Sequence, residues 1–181
     1  MLRSVLTPCE ELQHQLMNVG SIVNHFRDKK NDAVPQWLQW LEVTEEILKK
    51  NNFSETSALA GLRADILAVA MEIDAPRKRK KAIAQKSLES VNVAQDIVAS
   101  RHNALQEKIE QVRTLFRQIV PVAKQAGLIR FGPGQDFTAF MEDFLQQLQQ
   151  HEQLGPGITA AIAAIGKTDT LRIMADEIDL T

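Results

Sequence analysis

Few residues in this chain have the types and spacing that chemistry needs. Glu11 and His14 stand three apart on a helical pattern, the Glu-x-x-His spacing by which helical bundles hold two metals. Such a site needs a second pair and further inward carboxylates, yet His25, His102 and His151 have no Asp or Glu three residues before them. The pair therefore reads as two solvent-facing side chains on one helix, and no metal is expected. Cys9 is the one cysteine. A lone thiol forms no internal disulfide and no cysteine cage, which fits a reducing compartment. Its place in a helical first turn is one that lowers thiol pKa values. The segment Ala161-Ile162-Ala163-Ala164-Ile165-Gly166-Lys167-Thr168 has the outline of a phosphate loop. Its intervening residues are helix formers and no strand precedes it, so Gly166 reads as a helix stop instead. Gly155-Pro156-Gly157 lacks the strand–helix–strand unit of a dinucleotide fold and reads as a corner between helices. No nucleophile–base grouping can be assembled. The sequence thus predicts no catalytic residues, no cofactor and no enzyme activity.

His14 has a second reading. The run His14-Gln15-Leu16-Met17-Asn18, followed by Ser21-Ile22-Val23 and Phe26, resembles the histidine box of two-component histidine kinases and phosphotransferases. The resemblance implies a histidine phosphorylated on a helix of a dimeric four-helix bundle, with His14 in that role. It departs from the box at Gln15, where an acid is usual, and at Val19, where a proline is usual. Glycine-rich ATP-binding motifs do not accompany it, so the activity implied is phosphotransfer.

The sharpest local feature is the run Arg77, Lys78, Arg79, Lys80 and Lys81. These cations open a helix, where the dipole favours anions, and they repel one another. Solvent, the acids of the preceding helix (Asp65, Glu72, Asp74) or an anionic partner must offset that. Five consecutive positions wrap a whole helix, so they cannot all serve one face. Arg101, Lys108, Arg113, Arg117 and Lys124 carry the basic character onward. Residues 77–124 hold eleven Lys or Arg against four Asp or Glu, while 1–76 balance to −4 and 131–181 to −6. The formal net charge of −2 hides this segregation. Nucleic acid is a conceivable partner, but no recognised nucleic-acid motif is present and no aromatics interleave with the basic residues.

The element carrying that run is the longest in the chain. Ala84, Leu88, Val91, Gln95, Val98, His102, Leu105, Ile109, Val112, Phe116 and Ile119 recur at alternating steps of four and three. This predicts one helix over roughly 77–120, with Pro121 ending or kinking it and the weak helix formers at 100–103 as the alternative break. His102 and Gln95 are polar on an otherwise apolar stripe, as in helices that fix register or oligomer state.

Other elements follow from periodicity. Thr7 as cap and Pro8 at the first turn start a helix over about 8–30, striped by Leu12, Leu16, Val19, Val23 and Phe26 and ended by Asn31-Asp32. Pro35 opens a second helix with Trp37, Trp40, Leu41, Thr44 and Leu48 inward, and Asn51-Asn52 stops it. Ser54 is the expected cap of a third, striped by Leu59, Leu62, Ile66, Val69 and Ile73. Beyond Gly127 and Gly132-Pro133-Gly134, Phe137, Phe140, Met141, Phe144 and Leu148 mark an amphipathic helix. Residues 158–165 are apolar all round and should be buried or bound to a partner. Asp169 is the expected cap of a last short helix.

The fold class predicted is all-α, a bundle of about six or seven helices organised on the long central helix. The expected divisions are an N-terminal three-helix segment (1–76), a basic spine (77–126) and a C-terminal short-helix segment (127–181). The longest apolar run, 158–165, is far shorter than the ~20 residues a spanning helix needs, and the N-terminus lacks a signal-peptide core, so a cytoplasmic chain with no membrane span is expected. The function predicted is a non-catalytic protein–protein interaction or assembly module with an unidentified protein partner. A homodimer through Val98, His102, Leu105, Ile109, Val112 and Phe116 is the expected assembly. The alternatives are a nucleic-acid-binding accessory protein using 77–81, and a phosphotransfer protein using His14.

Overall fold

The structure, a computed structural model, describes residues 4–132 and 134–178. Among them all regular structure is helical: α1 (Leu6–Arg27), α2 (Ala33–Lys50), α3 (Thr56–Glu72), α4 (Pro76–Gln125), α5 (Phe137–Gln150), α6 (Gly155–Ile165) and α7 (Lys167–Glu177). Pro133, within the expected turn at 132–134, lies outside the described residues, as do 1–3 of the N-terminus. No helix among the described residues is long and apolar enough to cross a membrane. The chain forms two compact units whose boundary falls inside α4: Thr7–Ala104, and Met1–Leu6 with Leu105–Thr181.

In the Thr7–Ala104 unit the core is built on tryptophan. Trp37 and Trp40, three apart on α2, stack with ring centroids 4.7 Å apart. Buried indole N–H groups need acceptors. Trp37 donates to the Ser90 hydroxyl of α4 at 2.8 Å, and Trp40 to the Gln15 carbonyl of α1 at 2.9 Å. One pair of rings thus ties α2 to two other helices. Leu12, Val19, Leu41, Leu48, Leu59 and Ile66 complete this core, all buried. Leu88, expected on the α4 stripe, is instead 50% exposed. Ser87 and Ser90 are buried in its place. The reason is Trp37: its N–H demands a hydroxyl, and Ser90 meets it while donating to the Ser87 carbonyl. From Val91 onward the predicted stripe holds, with Val91 and Val98 buried.

Three helices end in the same way. After α2, Asn52 takes φ 57°, and the amides of Asn52 and Phe53 return to Lys49 and Leu48 carbonyls. After α4, Gly127 takes φ 66°, with Gly127 and Leu128 returning to Lys124 and Ala123. After α1, Lys29 takes φ 53°, with Lys29 and Lys30 returning to Phe26 and His25. This is the left-handed C-terminal turn that glycine or asparagine usually supplies. It stops α1 at Arg27, earlier than Asn31-Asp32 would. Ser54 does not cap α3: the residue before that helix is Glu55 and no side chain caps it. The Ser54 hydroxyl donates to the Glu55 carboxylate instead. Glu55 also receives Arg101 Nε at 2.9 Å, and the Arg101 guanidinium lies over the Phe53 ring. Burial raises the Glu55 pKa, but the Arg101 hydrogen bonds, a backbone amide and the Arg101 charge outweigh it and hold the carboxyl below its usual value.

In the other unit α5, α6 and α7 pack on one another. Leu105, Ile109, Val112, Phe116 and Ile119 of α4 are buried, as are Phe140, Met141, Phe144 and Leu148 of α5. Asp136 caps α5 by accepting the Ala139 amide at 2.8 Å. The helix α4 runs through Pro121 to Gln125 instead of ending there. The Pro121 ring leaves the Arg117 carbonyl without an amide from position 121, yet the four residues after it stay helical. Of α6 only one side is buried, Ile158, Ala161 and Ile165. Its exposed residues include Ala160, Ala163 and Ala164, too small to demand a cover. Gly155 begins it where a Cβ would overlap the Gln149 carbonyl oxygen. Gly166, at φ 87°, ends it as expected.

Asp169 does not cap its own helix. Its buried carboxylate accepts the Ser4 hydroxyl at 3.1 Å and the amides of Val5 and Leu6 at 2.6 and 2.9 Å. These are orphan donors at the start of α1, so the cap of that helix comes from α7. This is why α1 begins at Leu6, ahead of the local Thr7-Pro8 signal.

Candidate functional site

The cations at 77–81 open α4, and within the Thr7–Ala104 unit they meet the turn between α1 and α2. Together these segments line a cavity of about 670 Å³. That is within the ~300–1,000 Å³ of ordinary ligand pockets. Its charged rim is Lys29 and Lys30 from the turn and Arg77, Arg79, Lys80 and Lys81 from α4. Its floor is apolar: Phe26 at the end of α1, Ala33, Val34 and Pro35 at the start of α2, and Ile83 and Ala84 of α4.

Helical geometry decides which cations take part. Arg77, Lys80, Lys81 and Ala84 follow the i, i+3, i+4, i+7 spacing of one face. Lys78 falls off that face and does not line the cavity. Arg79 is half-buried and serves the connection to α3: its Nε donates to the Ile73 carbonyl at 2.7 Å and its Nη2 to the Asp74 carbonyl at 3.0 Å. Lys80 donates to the Asn31 side-chain oxygen at 2.8 Å, which joins the two sides of the rim.

Among the described residues no carboxylate forms an ion pair with any of these rim cations. Three acids of the neighbouring segments have other partners. Asp65 pairs with Lys86, Asp28 with Arg27, and Asp32 lies 3.2 Å from His25 Nδ1 while accepting from Gln36. Asp74 offers Arg79 its carbonyl and not its carboxylate. The positive end of the α4 dipole adds to the same region. The result is a concentrated positive potential over an apolar floor.

The other sequence candidates lie elsewhere. Val98, Leu105, Ile109, Val112 and Phe116 are each buried within a single chain, at 4% exposure or less. They are spent on the core of their own units, and their burial needs no second copy. His102, on the same stripe, is half-buried. Its Nδ1 lies 3.3 Å from the Asn103 side-chain oxygen, and its Nε2 is buried without a hydrogen-bond partner. His14 is exposed on α1. Burial, and secondarily the Glu10 charge, push the Cys9 thiol up, so its place in the first turn does not activate it.

Sequence reasoning found the α4 half of the cavity and missed Lys29, Lys30, Asn31 and the floor. The signal was present: two adjacent lysines in a turn at the end of an amphipathic helix. The acidic balance of 1–76 concealed them. No protein-family model, curated protein or solved structure matches the chain.

Proposed function

We propose that this chain is a non-catalytic helical interaction module that takes an acidic segment of a protein partner at the cation-rimmed cavity. One observation carries the reading. Cations from two sequence-distant segments line one cavity with apolar residues between them in the lining, and among the described residues none of these cations is in an ion pair. Like charges held together cost stability, and an anionic partner recovers it. The apolar stripe of α4 supports the reading by elimination, since it is already consumed in the core.

The test is binding of a fluorescein-labelled glutamate-rich peptide, followed by anisotropy at low and at elevated salt. Binding is expected at low salt and should weaken as salt rises, because exposed charges are screened. The double substitution Lys80→Glu/Lys81→Glu should abolish it with the far-ultraviolet circular dichroism unchanged. Undiminished binding by that variant refutes the proposal.

A further inference from the structure

We infer that the segment recognised at this cavity is not simply acidic: it carries a bulky apolar anchor flanked on both sides by carboxylates. The inference rests on the reading of the cavity as a docking site and adds the chemistry of its occupant.

The argument begins with the two halves of the rim. Lys29 and Lys30 belong to the turn after α1, and Arg77, Lys80 and Lys81 to the first turns of α4. The same cavity is lined by the apolar side chains of Phe26, Val34, Pro35 and Ile83. A purely anionic chain would meet the rim and leave the floor wet. A bulky Leu or Phe side chain removes that apolar surface from water, and carboxylates before and after it reach the two lysine groups. Charge and shape are satisfied together only by that pattern. A nucleic acid matches the charge alone, since the half-buried Phe26 is the single aromatic among the described lining residues and makes no platform on which successive bases can stack.

A second observation is independent of the cavity. Lys29 occupies a left-handed position, φ 53°, where the equivalent turns after α2 and α4 use Asn52 and Gly127. A branched-at-nothing but long cationic side chain is a poor choice there on conformational grounds. It is a good choice for setting an ammonium on the rim. The turn thus departs from the conformational preference at the place where the charge lines the cavity.

The experiment uses the full chain and two labelled peptides of equal net charge. One is glutamate with a central Leu-Phe pair; the other is glutamate alone. The anchored peptide is expected to bind roughly tenfold tighter or more, the gain of burying one large apolar side chain. Val34→Asn and Ile83→Asn, which add no charge, should each erase that advantage while leaving the all-glutamate peptide bound. The comparison of the two peptides on the unaltered chain needs no variant and stands even if a substitution perturbs folding. Equal affinity for both peptides overturns the inference and leaves the docking site intact. Displacement of the anchored peptide by a single-stranded oligonucleotide or by phosphatidylserine vesicles, at matched charge concentration, overturns it in favour of those ligands. Failure of either peptide to bind, with no effect of Lys80→Glu/Lys81→Glu, removes the docking site itself.

Discussion

Lys29 illustrates what a single residue can reveal when its conformation and its chemistry disagree. A non-glycine residue in the left-handed region is strained by about 1–2 kcal/mol. Part of that is offset because glycine is more flexible in the unfolded chain. Lys29→Gly is therefore expected to stabilise the protein by up to about 1 kcal/mol, seen as a rise in thermal midpoint. The same change should weaken binding of the acidic peptides. Stabilisation without any loss of binding would separate Lys29 from the rim. Glu55 gives a residue-scale prediction of a different kind. Its carboxyl is held below the usual value by Arg101, so its ionised form is favoured in the folded state. That contribution is fully present above the ordinary glutamate pKa and is lost as pH falls through the depressed folded value. Glu55→Gln should flatten the acid limb of a stability–pH curve below about pH 4 while lowering stability at neutral pH. An acid limb as steep as that of the unaltered chain would show that the pair contributes nothing.

At the scale of elements, α4 was the most legible part of the sequence, because its stripe repeats for many turns and its gaps are filled with helix formers. The errors have local causes. Leu88 falls outside the core because Trp37 requires a hydroxyl at Ser90, a demand that periodicity does not encode. The helix passes through Pro121, which removes one hydrogen bond without ending it. The ends of α1 were misread at both sides: Lys29 supplies a turn without glycine, and Asp169 supplies a cap from another helix. The stripe itself makes a prediction. Leu105 is 4% exposed within one chain, so Leu105→Ala should cost about 2–5 kcal/mol as a core truncation. Its loss of thermal stability should be the same at every protein concentration. A midpoint that rises with concentration would instead place Leu105 in a seam between copies.

For the whole molecule, charge segregation was the clue that sequence offered, and it was only half resolved. The run at 77–81 stood out because its cations are contiguous. Lys29 and Lys30 did not, because what makes them part of a site is their meeting with α4, 49 residues away at the Lys80–Asn31 bond. The apolar lining was illegible for the same reason: Phe26 reads as an ordinary position on the first helix's stripe and Val34 carries no signal of its own until the fold brings Ile83 to the same cavity. A solvated run and a binding rim have the same composition. They differ in which acids come near, and that is decided by tertiary structure. Here Asp65, Asp28 and Asp32 lie against Lys86, Arg27 and His25.

The clasp of Asp169 on Val5 and Leu6 sets an order of events during synthesis. The Thr7–Ala104 unit is continuous in sequence and can fold as soon as it has emerged. The other unit joins residues separated by 163 positions at the Leu6–Asp169 bond. Translation makes the Val5 and Leu6 donors before everything that separates them from their acceptor. On a ribosome, then, the amides of Val5 and Leu6 wait, solvated, through the making of everything between, and are secured only once Asp169 has followed.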